Sequence, residues 1–133
     1  MAFVHLHNHT EYSLLDGATK VYDMVKRAAD LGMPAVAITD HGVMSGVPEL
    51  ADACDKVKAE TGTWVKPIFG CEIYFTTDSS LKKEGKQKLH HMILLAKNNT
   101  GYHNIVKLVS ESHVDNFYYR PRTTFEMLEK YSE

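Results

Sequence analysis

A continuous apolar run at residues 35–39, Ala-Val-Ala-Ile-Thr, constrains the fold of this chain more than any other segment. Polar residues do not alternate with apolar ones in this run, which is typical of a strand covered by helices on both faces. Amphipathic patterns at residues 20–31 and 50–58 predict a helix on either side of it. Thr19 can cap the first helix and Gly32 can end it. The segment therefore predicts an α/β fold, with a mainly parallel sheet and flanking helices.

The rest of the chain continues this alternation. Further strands are predicted at residues 2–7, 65–75 and 89–96, and a further helix at residues 102–111. The sequence Thr-Thr-Phe-Glu at residues 123–126 is a capping box that opens a last helix. Residues 78–88 are polar and rich in lysine, which predicts a mobile loop.

Three histidines at alternate positions, His5, His7 and His9, give the strongest chemical signal. Residues two apart in an extended strand point to the same face, so these imidazoles would line one face. Neutral imidazole binds divalent transition metals, and Asp16 can balance their charge. The alternatives are a histidine-rich surface strand and, for Asp16, a turn before Gly17. The pattern favours a metal site.

Two other strands place functional groups near the same edge. Asp40 and His41 follow the strand at residues 35–39, and Glu72 lies inside the strand predicted at residues 65–75. Functional groups of parallel α/β folds gather at the carboxyl ends of the strands. A buried carboxylate is costly unless it is paired or metal-bound, which favours a ligand role for Glu72 over a salt bridge to a lysine. Asp40 is the candidate catalytic residue, as an acceptor that orients a ligand imidazole.

Two adjacent histidines, His90 and His91, point to opposite faces of their predicted strand, so at most one can face this site. The apolar residues that follow do not distinguish them, and both stay open. His103 and His113 lie on or beside a helix and are expected to be solvated. A set of His, Asp and Glu ligands without a thiolate is typical of a catalytic metal site. Ions bridged by carboxylate suit the hydrolysis of phosphoesters.

Composition is that of a globular protein. The chain has 133 residues, 44% of them hydrophobic, which is enough for one domain with a core. Its formal net charge of −2 lacks the basic footprint of a protein that binds nucleic acid by itself. Cys54 and Cys71 predict buried thiols in a reducing compartment. We find no apolar run that would span a membrane and no signal peptide, so a cytoplasmic protein is expected.

Several motifs resemble the polymerase and histidinol phosphatase (PHP) domain family. The matching motifs are His-x-His at 7–9, Tyr-Ser at 12–13, Asp-Gly at 16–17, Thr-Asp-His-Gly at 39–42 and Pro-Ile-x-Gly-x-Glu at 67–72. Segments that look like the version at the N-terminus of the bacterial replicative DNA polymerase III alpha subunit are residues 3–7, 13–17, 28–35, 94–102 and 117–122. The resemblance covers essentially the whole chain, and the combination of motifs is specific.

The resemblance implies a distorted (β/α)7 barrel that holds up to three divalent ions, Zn²⁺ or Mn²⁺ with Fe²⁺ or Mg²⁺ as alternatives. By matching motif, the implied metal ligands are His7, His9, Asp16, His41, Glu72 and His91. The resemblance prefers His91 to His90, and it gives His5 no ligand role. The family is linked to metal-dependent 3′–5′ exonuclease or phosphoesterase activity. The implied partners are other domains of the polymerase alpha subunit, DNA through the full protein, and a proofreading subunit.

The family's later ligands, a cysteine after a small-residue turn and an Asp-x-His motif, have no counterpart before Glu133. Residues 1–133 are therefore expected to be the N-terminal portion of a single, incomplete PHP domain, with weak or missing nuclease activity. A partial barrel leaves an open sheet edge and apolar faces, so self-association is expected. Two other functions stay open: a free-standing phosphatase of the histidinol phosphate class, against which residues 94–102 argue, and a non-catalytic scaffold of the replisome.

Overall fold

The computed structural model describes residues 3–78, 80 and 88–132, which form four helices and five strands in the order α-β-α-β-β-α-β-β-α. The helices are α1 (Val21–Asp30), α2 (Val47–Thr61), α3 (Asn99–Val114) and α4 (Phe125–Lys130). The strands are β1 (Ala35–Ile38), β2 (Lys66–Phe75), β3 (His90–Leu95), β4 (Phe117–Tyr118) and β5 (Arg120–Thr123). Most of the loop predicted at residues 78–88 lies outside the described residues. None of the described helices is long and apolar enough to cross a membrane.

Strand β2 is the centre of the sheet, and it changes neighbours along its length. Its first half pairs in parallel with β1, with Val36 opposite Pro67. Its second half pairs antiparallel with β3, with Glu72 opposite Ile93, and its last two residues pair in parallel with β5. Strand β4 pairs antiparallel with β5. The predicted fold class, a mostly parallel sheet with flanking helices, is confirmed, and the sheet formed by the described residues is open.

The strand predicted at residues 2–7 is wrong for the residues that the structure describes. Only His5 forms a bridge, in parallel with Val36. Beyond it, the Thr39 N–H donates to the Asn8 carbonyl at 3.0 Å, but the Asn8 N–H donates to the Thr39 hydroxyl at 2.9 Å instead of to a backbone carbonyl. That hydroxyl in turn donates to the Asn8 carbonyl at 3.0 Å. The segment therefore runs beside β1 without forming a regular strand.

Two predicted caps are wrong. The N-cap residue of α1 is Lys20 rather than Thr19, and no side chain caps this helix. Helix α4 is capped by Thr124, which accepts from the Met127 N–H, whereas Thr123 of the predicted capping box is the last residue of β5. The sequence does not predict β4 and β5, because they are only two and four residues long and β5 contains a proline.

Two clusters of buried apolar side chains join the helices to the sheet. The larger cluster lies among β1, α1 and α2 and includes Val25, Ile38 and Leu50. The smaller cluster joins β2 to α3 through Cys71, Ile73 and Ile105. Because side chains alternate along a strand, Glu72 and Tyr74 of β2 point away from α3. This alternation leaves one face of β2 free to carry a functional site.

Both cysteines are free and buried, as predicted. Burial raises the pKa of Cys54 to about 11 and the pKa of Cys71 to about 12. Both therefore stay protonated at neutral pH, and neither offers a thiolate to a metal ion. The Cys71 thiol instead donates to the Asp40 carbonyl at 3.5 Å.

Candidate metal centre

The candidate centre lies where the chain leaves β1 and runs beside the middle of β2. His41 forms a parallel bridge with Glu72. The Glu72 N–H donates to the Asp40 carbonyl at 3.0 Å, and the Gly42 N–H donates to the Glu72 carbonyl at 2.8 Å. These backbone bonds extend the register of β1 and β2 past the end of β1, and they bring His41 and Glu72 side by side.

The pairing of β2 with β3 distinguishes the two adjacent histidines. Tyr74 lies opposite His91, and Tyr74 shares its face of β2 with Glu72. His91 therefore faces the centre, where its Nδ1 contacts Glu72 Oε1. His90 lies opposite Phe75 and makes no polar contact within the part of the chain that the structure describes.

Glu72 is the hub of the centre, with only 2% of its side chain exposed. Its Oε2 lies 2.5 Å from His7 Nε2 and 3.3 Å from His9 Nε2. Its Oε1 lies 3.0 Å from His41 Nδ1 and also contacts His91. No lysine or arginine among residues 3–78, 80 and 88–132 pairs with this carboxylate, so the alternative of a salt bridge to a lysine does not hold for the described residues.

Asp16 approaches the centre from the other side of His41. The Oδ2 atom of Asp16 lies 3.0 Å from His41 Nε2. The His9 ring stacks on the His41 ring, with centroids 4.1 Å apart and planes at 8°. The structure thus brings together six side chains, which are those that the resemblance implies as ligands. They fall into three overlapping groups, His7–His9–Glu72, His9–Asp16–His41 and His41–Glu72–His91, with the ligand atoms of each group within 4.8 Å of one another.

His5 does not join the other two histidines of its motif, although their spacing predicts a common face. Its ring meets the Phe3 ring edge-on, with centroids 4.7 Å apart. Because the regular strand stops at the bridge of His5, the alternation of side chains does not continue to His7 and His9. The prediction that all three imidazoles line one face is therefore wrong.

Several contacts in the centre are those that a bound cation would satisfy. His41 Nδ1 is buried and has no hydrogen-bond partner in the described structure, although Glu72 Oε1 is 3.0 Å away. Buried polar atoms normally have partners, so an unpaired nitrogen beside a carboxylate marks a place for an ion. The donor set of imidazole nitrogens and carboxylate oxygens suits Zn²⁺, Mn²⁺ or Fe²⁺. The residues present fit a divalent metal ion.

Asp40 lies behind the histidines and is 1% exposed. Its Oδ1 accepts from the Thr10 N–H at 2.6 Å and from the Ser13 hydroxyl at 2.7 Å. Its Oδ2 accepts from the Thr10 hydroxyl at 2.8 Å. The carboxylate makes no hydrogen bond to an imidazole in the described structure, so Asp40 is placed to position the ligands through Ser13 rather than to contact them.

Ser13 links Asp40 to two of the candidate ligands. Its single hydroxyl proton goes to Asp40, so its oxygen accepts from the His41 backbone N–H at 3.1 Å and faces His9 Nδ1 at 3.4 Å. This arrangement favours a proton on His9 Nδ1 and leaves the lone pair of Nε2 directed at Glu72. Burial lowers the pKa of His9, and the neighbouring His41 lowers it further, which favours the neutral ring. A lone pair that faces a carboxylate is repulsive unless a cation lies between them.

Sequence reasoning did not identify the residues that surround the six ligands. His113 is exposed, as predicted, but its ring also donates to the Gly42 carbonyl at 2.7 Å and so joins α3 to the loop after His41. The Arg120 guanidinium lies 5.4 Å from the centroid of the Tyr74 ring. Both contacts join residues far apart in the chain, and only Arg120 lies in a segment on which the family resemblance rests.

Replacing Gly42 with alanine is expected to destabilise the loop that carries His41. Gly42 has a φ of +64°, and an added Cβ would lie 2.9 Å from the Pro121 ring and 3.2 Å from the Tyr74 ring. Backbone strain and the clash together should lower the free energy of unfolding by about 2–4 kcal/mol, measured by urea denaturation. Gly32→Ala is the matched control, because Gly32 has a φ of +68° with nothing within 4 Å of the added Cβ. Equal losses in the two variants would contradict the steric part of this prediction.

Comparison with known proteins gives matches along nearly the whole chain. The sequence profile of the PHP domain matches residues 5–133. The DNA polymerase III subunit alpha of Aquifex aeolicus is 43% identical over 139 residues, which cover 98% of this chain and 12% of that protein. The same subunit of Borreliella burgdorferi is 45% identical over 135 residues, covering 98% of this chain and 11% of that protein. The chain thus spans about a tenth of the length of these curated relatives.

A solved structure shares the fold. A candidate metal-dependent phosphoesterase from Bifidobacterium adolescentis aligns with a TM-score of 0.55 and 24% sequence identity, over 84% of this chain and 34% of that chain. The profile match and the polymerase relatives cover the segments that carry the ligand motifs, and the solved structure shows the shared fold. This chain therefore belongs to the PHP domain family, and it is homologous to the N-terminal region of DNA polymerase III alpha subunits.

Proposed function

We propose that the six clustered side chains bind divalent metal ions and support the hydrolysis of a phosphoester, such as the 3′ end of a DNA strand. The observation that carries this proposal is the buried Glu72 carboxylate, which faces four imidazoles and no lysine or arginine in the described structure. A buried charge of this kind requires positive charge nearby, and a divalent ion held by these imidazoles would supply it. Zn²⁺ or Mn²⁺ suits these ligands best, with Fe²⁺ or Mg²⁺ as alternatives.

The roles of the chain's own residues follow from their contacts. His7, His9, Asp16, His41, Glu72 and His91 would hold the ions. A bound divalent ion supplies a more acidic water ligand and compensates charge on the phosphate group. Asp40 and Ser13 fix the orientation of His9 and of the backbone at His41. Glu72 and Asp40 are buried, so both carboxylates are shielded from solvent at the back of the centre.

The wider setting is proposed from the polymerase relatives. We infer that the chain acts in DNA replication as part of a cytoplasmic polymerase, beside the other domains of an alpha subunit and a proofreading subunit. In this setting DNA reaches the centre through the full protein, because the chain itself carries a net charge of −2. Self-association, and the assignment of residues 1–133 to the N-terminal portion of a longer PHP domain, stay predictions.

Metal content and hydrolysis of the full chain test the proposed function together. We expect about one or more Zn²⁺ or Mn²⁺ ions per chain by elemental mass spectrometry, and weak, metal-dependent release of nucleotides from a 3′-labelled single strand. His9→Ala should remove both properties. His103→Ala is the matched control, since His103 is an exposed histidine on α3 outside the three groups.

The two readouts separate the competing functions. Bound metal without hydrolysis of either DNA or small phosphomonoesters would favour the scaffold function. Hydrolysis of small phosphomonoesters but not of DNA would favour the phosphatase. Equal metal content in the His9→Ala variant and the unaltered chain would contradict the assignment of the centre.

A further inference from the structure

A cleft opens beside the candidate metal centre. It is lined partly by residues that are not among the six candidate ligands. Its volume is about 590 Å³. Asp16, His41 and His91 reach it from the centre, and Tyr74 and Arg120 line it as well. A ligand in this cleft would therefore contact the metal-binding side chains and these additional residues together.

Arg120 brings a positive charge to this cleft. Its guanidinium lies over the Tyr74 ring, 5.4 Å from the ring centroid. Among residues 3–78, 80 and 88–132 it has no hydrogen bond and no carboxylate partner, and it is exposed. The planar guanidinium offers paired N–H donors that match two oxygens of a phosphate group. Its donors are free to bind an anion that enters the cleft.

Tyr74 fixes the distance between Arg120 and the ligands. Its ring centroid lies 5.3 Å from that of His91 and 6.0 Å from that of His41. An added Cβ at Gly42 would lie only 3.2 Å from the Tyr74 ring, so the ring is closely packed on its backbone side. The guanidinium is therefore held one aromatic ring away from two candidate metal ligands.

An apolar turn forms another wall of the cleft. Leu14 is 83% exposed and Leu15 is fully exposed, and both line the cleft. Leu15 has a φ of +68°, which side chains with a Cβ rarely adopt. Hydrogen bonds from the Asp16 and Gly17 N–H groups to the Ser13 carbonyl hold the turn in place. Two leucines that stand in solvent at the edge of a polar cleft can contact the flat face of a base.

We propose that Arg120 binds a phosphate group of the substrate and that the Leu14–Leu15 turn contacts the adjoining base. The ligand is then a phosphate that carries a nucleoside, as at the end of a single strand, rather than a small phosphomonoester without a base. This inference rests on the proposed function, since it names the substrate class of the same centre. It makes Arg120 and the Leu14–Leu15 turn, which are not metal ligands, the determinants of substrate specificity.

Calorimetric binding of two probes, orthophosphate and thymidine 5′-monophosphate, tests this assignment in the full chain with and without Mn²⁺. Arg120→Ala should raise the Kd of both probes about tenfold, and Arg120→Lys should raise it less. Arg27→Ala is the matched control, because Arg27 is an exposed arginine on α1 and should leave both values unchanged. Leu15→Ser should raise the Kd of the nucleotide and leave the Kd of orthophosphate unchanged.

Each result supports or overturns the inference. Unchanged orthophosphate binding in Arg120→Ala, or no orthophosphate binding by the unaltered chain, overturns the phosphate subsite. An unchanged nucleotide Kd in Leu15→Ser overturns the base contact and favours a small phosphomonoester. Phosphate binding that depends on Arg120 but is accompanied by no hydrolysis means that the proposed function fails while the subsite stands. If Arg120→Ala changes neither KM nor kcat of the hydrolysis, the proposed function stands and the phosphate subsite fails.

Discussion

Glu72→Gln is expected to remove metal from the centre while the fold persists. Glutamine has nearly the same volume as glutamate, but it lacks the negative charge that now faces His7, His9, His41 and His91. Groups that only support metal ligands change metal affinity by about 10–100-fold, so a shared ligand should cost at least about 100-fold. Elemental mass spectrometry and Mn²⁺ titration measure the loss, and hydrolysis should fall in parallel.

A matched variant separates this effect from a general loss of charge. Glu129→Gln removes one carboxylate from an exposed position on α4, where the side chain has no polar contact in the described structure. We expect it to keep full metal content. Far-ultraviolet circular dichroism should show the same helix content in both variants. Retention of metal by Glu72→Gln at the level of Glu129→Gln would rule out a ligand role for Glu72.

Asp40→Ala is expected to cause a large loss of stability. It leaves three buried donors without an acceptor: the Thr10 N–H, the Thr10 hydroxyl and the Ser13 hydroxyl. Loss of the acceptor in such a network should lower the free energy of unfolding by about 3–5 kcal/mol, measured by urea denaturation. Metal affinity should also fall, by about tenfold, because Ser13 no longer orients His9.

Two further variants keep this prediction testable if Asp40→Ala does not fold. Asp40→Asn keeps the shape of the side chain but places an amide donor where a carboxylate oxygen accepts, so an intermediate loss of about 2 kcal/mol is expected. Asp52→Ala removes an exposed carboxylate on α2 and should change stability by less than about 0.5 kcal/mol. Equal stability of the Asp40→Asn and Asp52→Ala variants would show that the buried network contributes little.

Patterns within single segments predict this fold well where burial alone decides the structure. All four residues of β1 are buried, as the uninterrupted apolar run indicates. The direction of β3 cannot be read from its own residues, because an apolar strand of that length fits an antiparallel or a parallel neighbour equally well. The first strand fails for a different reason, since the Asn8 and Thr39 side chains take hydrogen bonds that a regular ladder would use.

The candidate site also has a part that the sequence predicts and a part that it does not. Ligand residue types and their spacing identify the six clustered side chains once the family resemblance is added to the chemical argument. The contacts that hold them depend on pairs distant in sequence, such as Ser13 with Asp40 and His113 with Gly42. Arg120 is beyond prediction from pattern, because a single arginine in a short strand carries no signal until the fold places it beside Tyr74.

The two oxygens of Glu72 have a thermodynamic consequence for how the centre fills. One oxygen faces His7 and His9, and the other faces His41 and His91, so Glu72 would help to hold an ion on either side of the centre. The first ion to bind would order Glu72 for the second, whereas the electrostatic repulsion between the two cations would oppose it. Occupancy at one position therefore changes affinity at the other by the same factor in both directions. Metal titration curves should be cooperative or biphasic, and they should not fit independent sites of equal affinity.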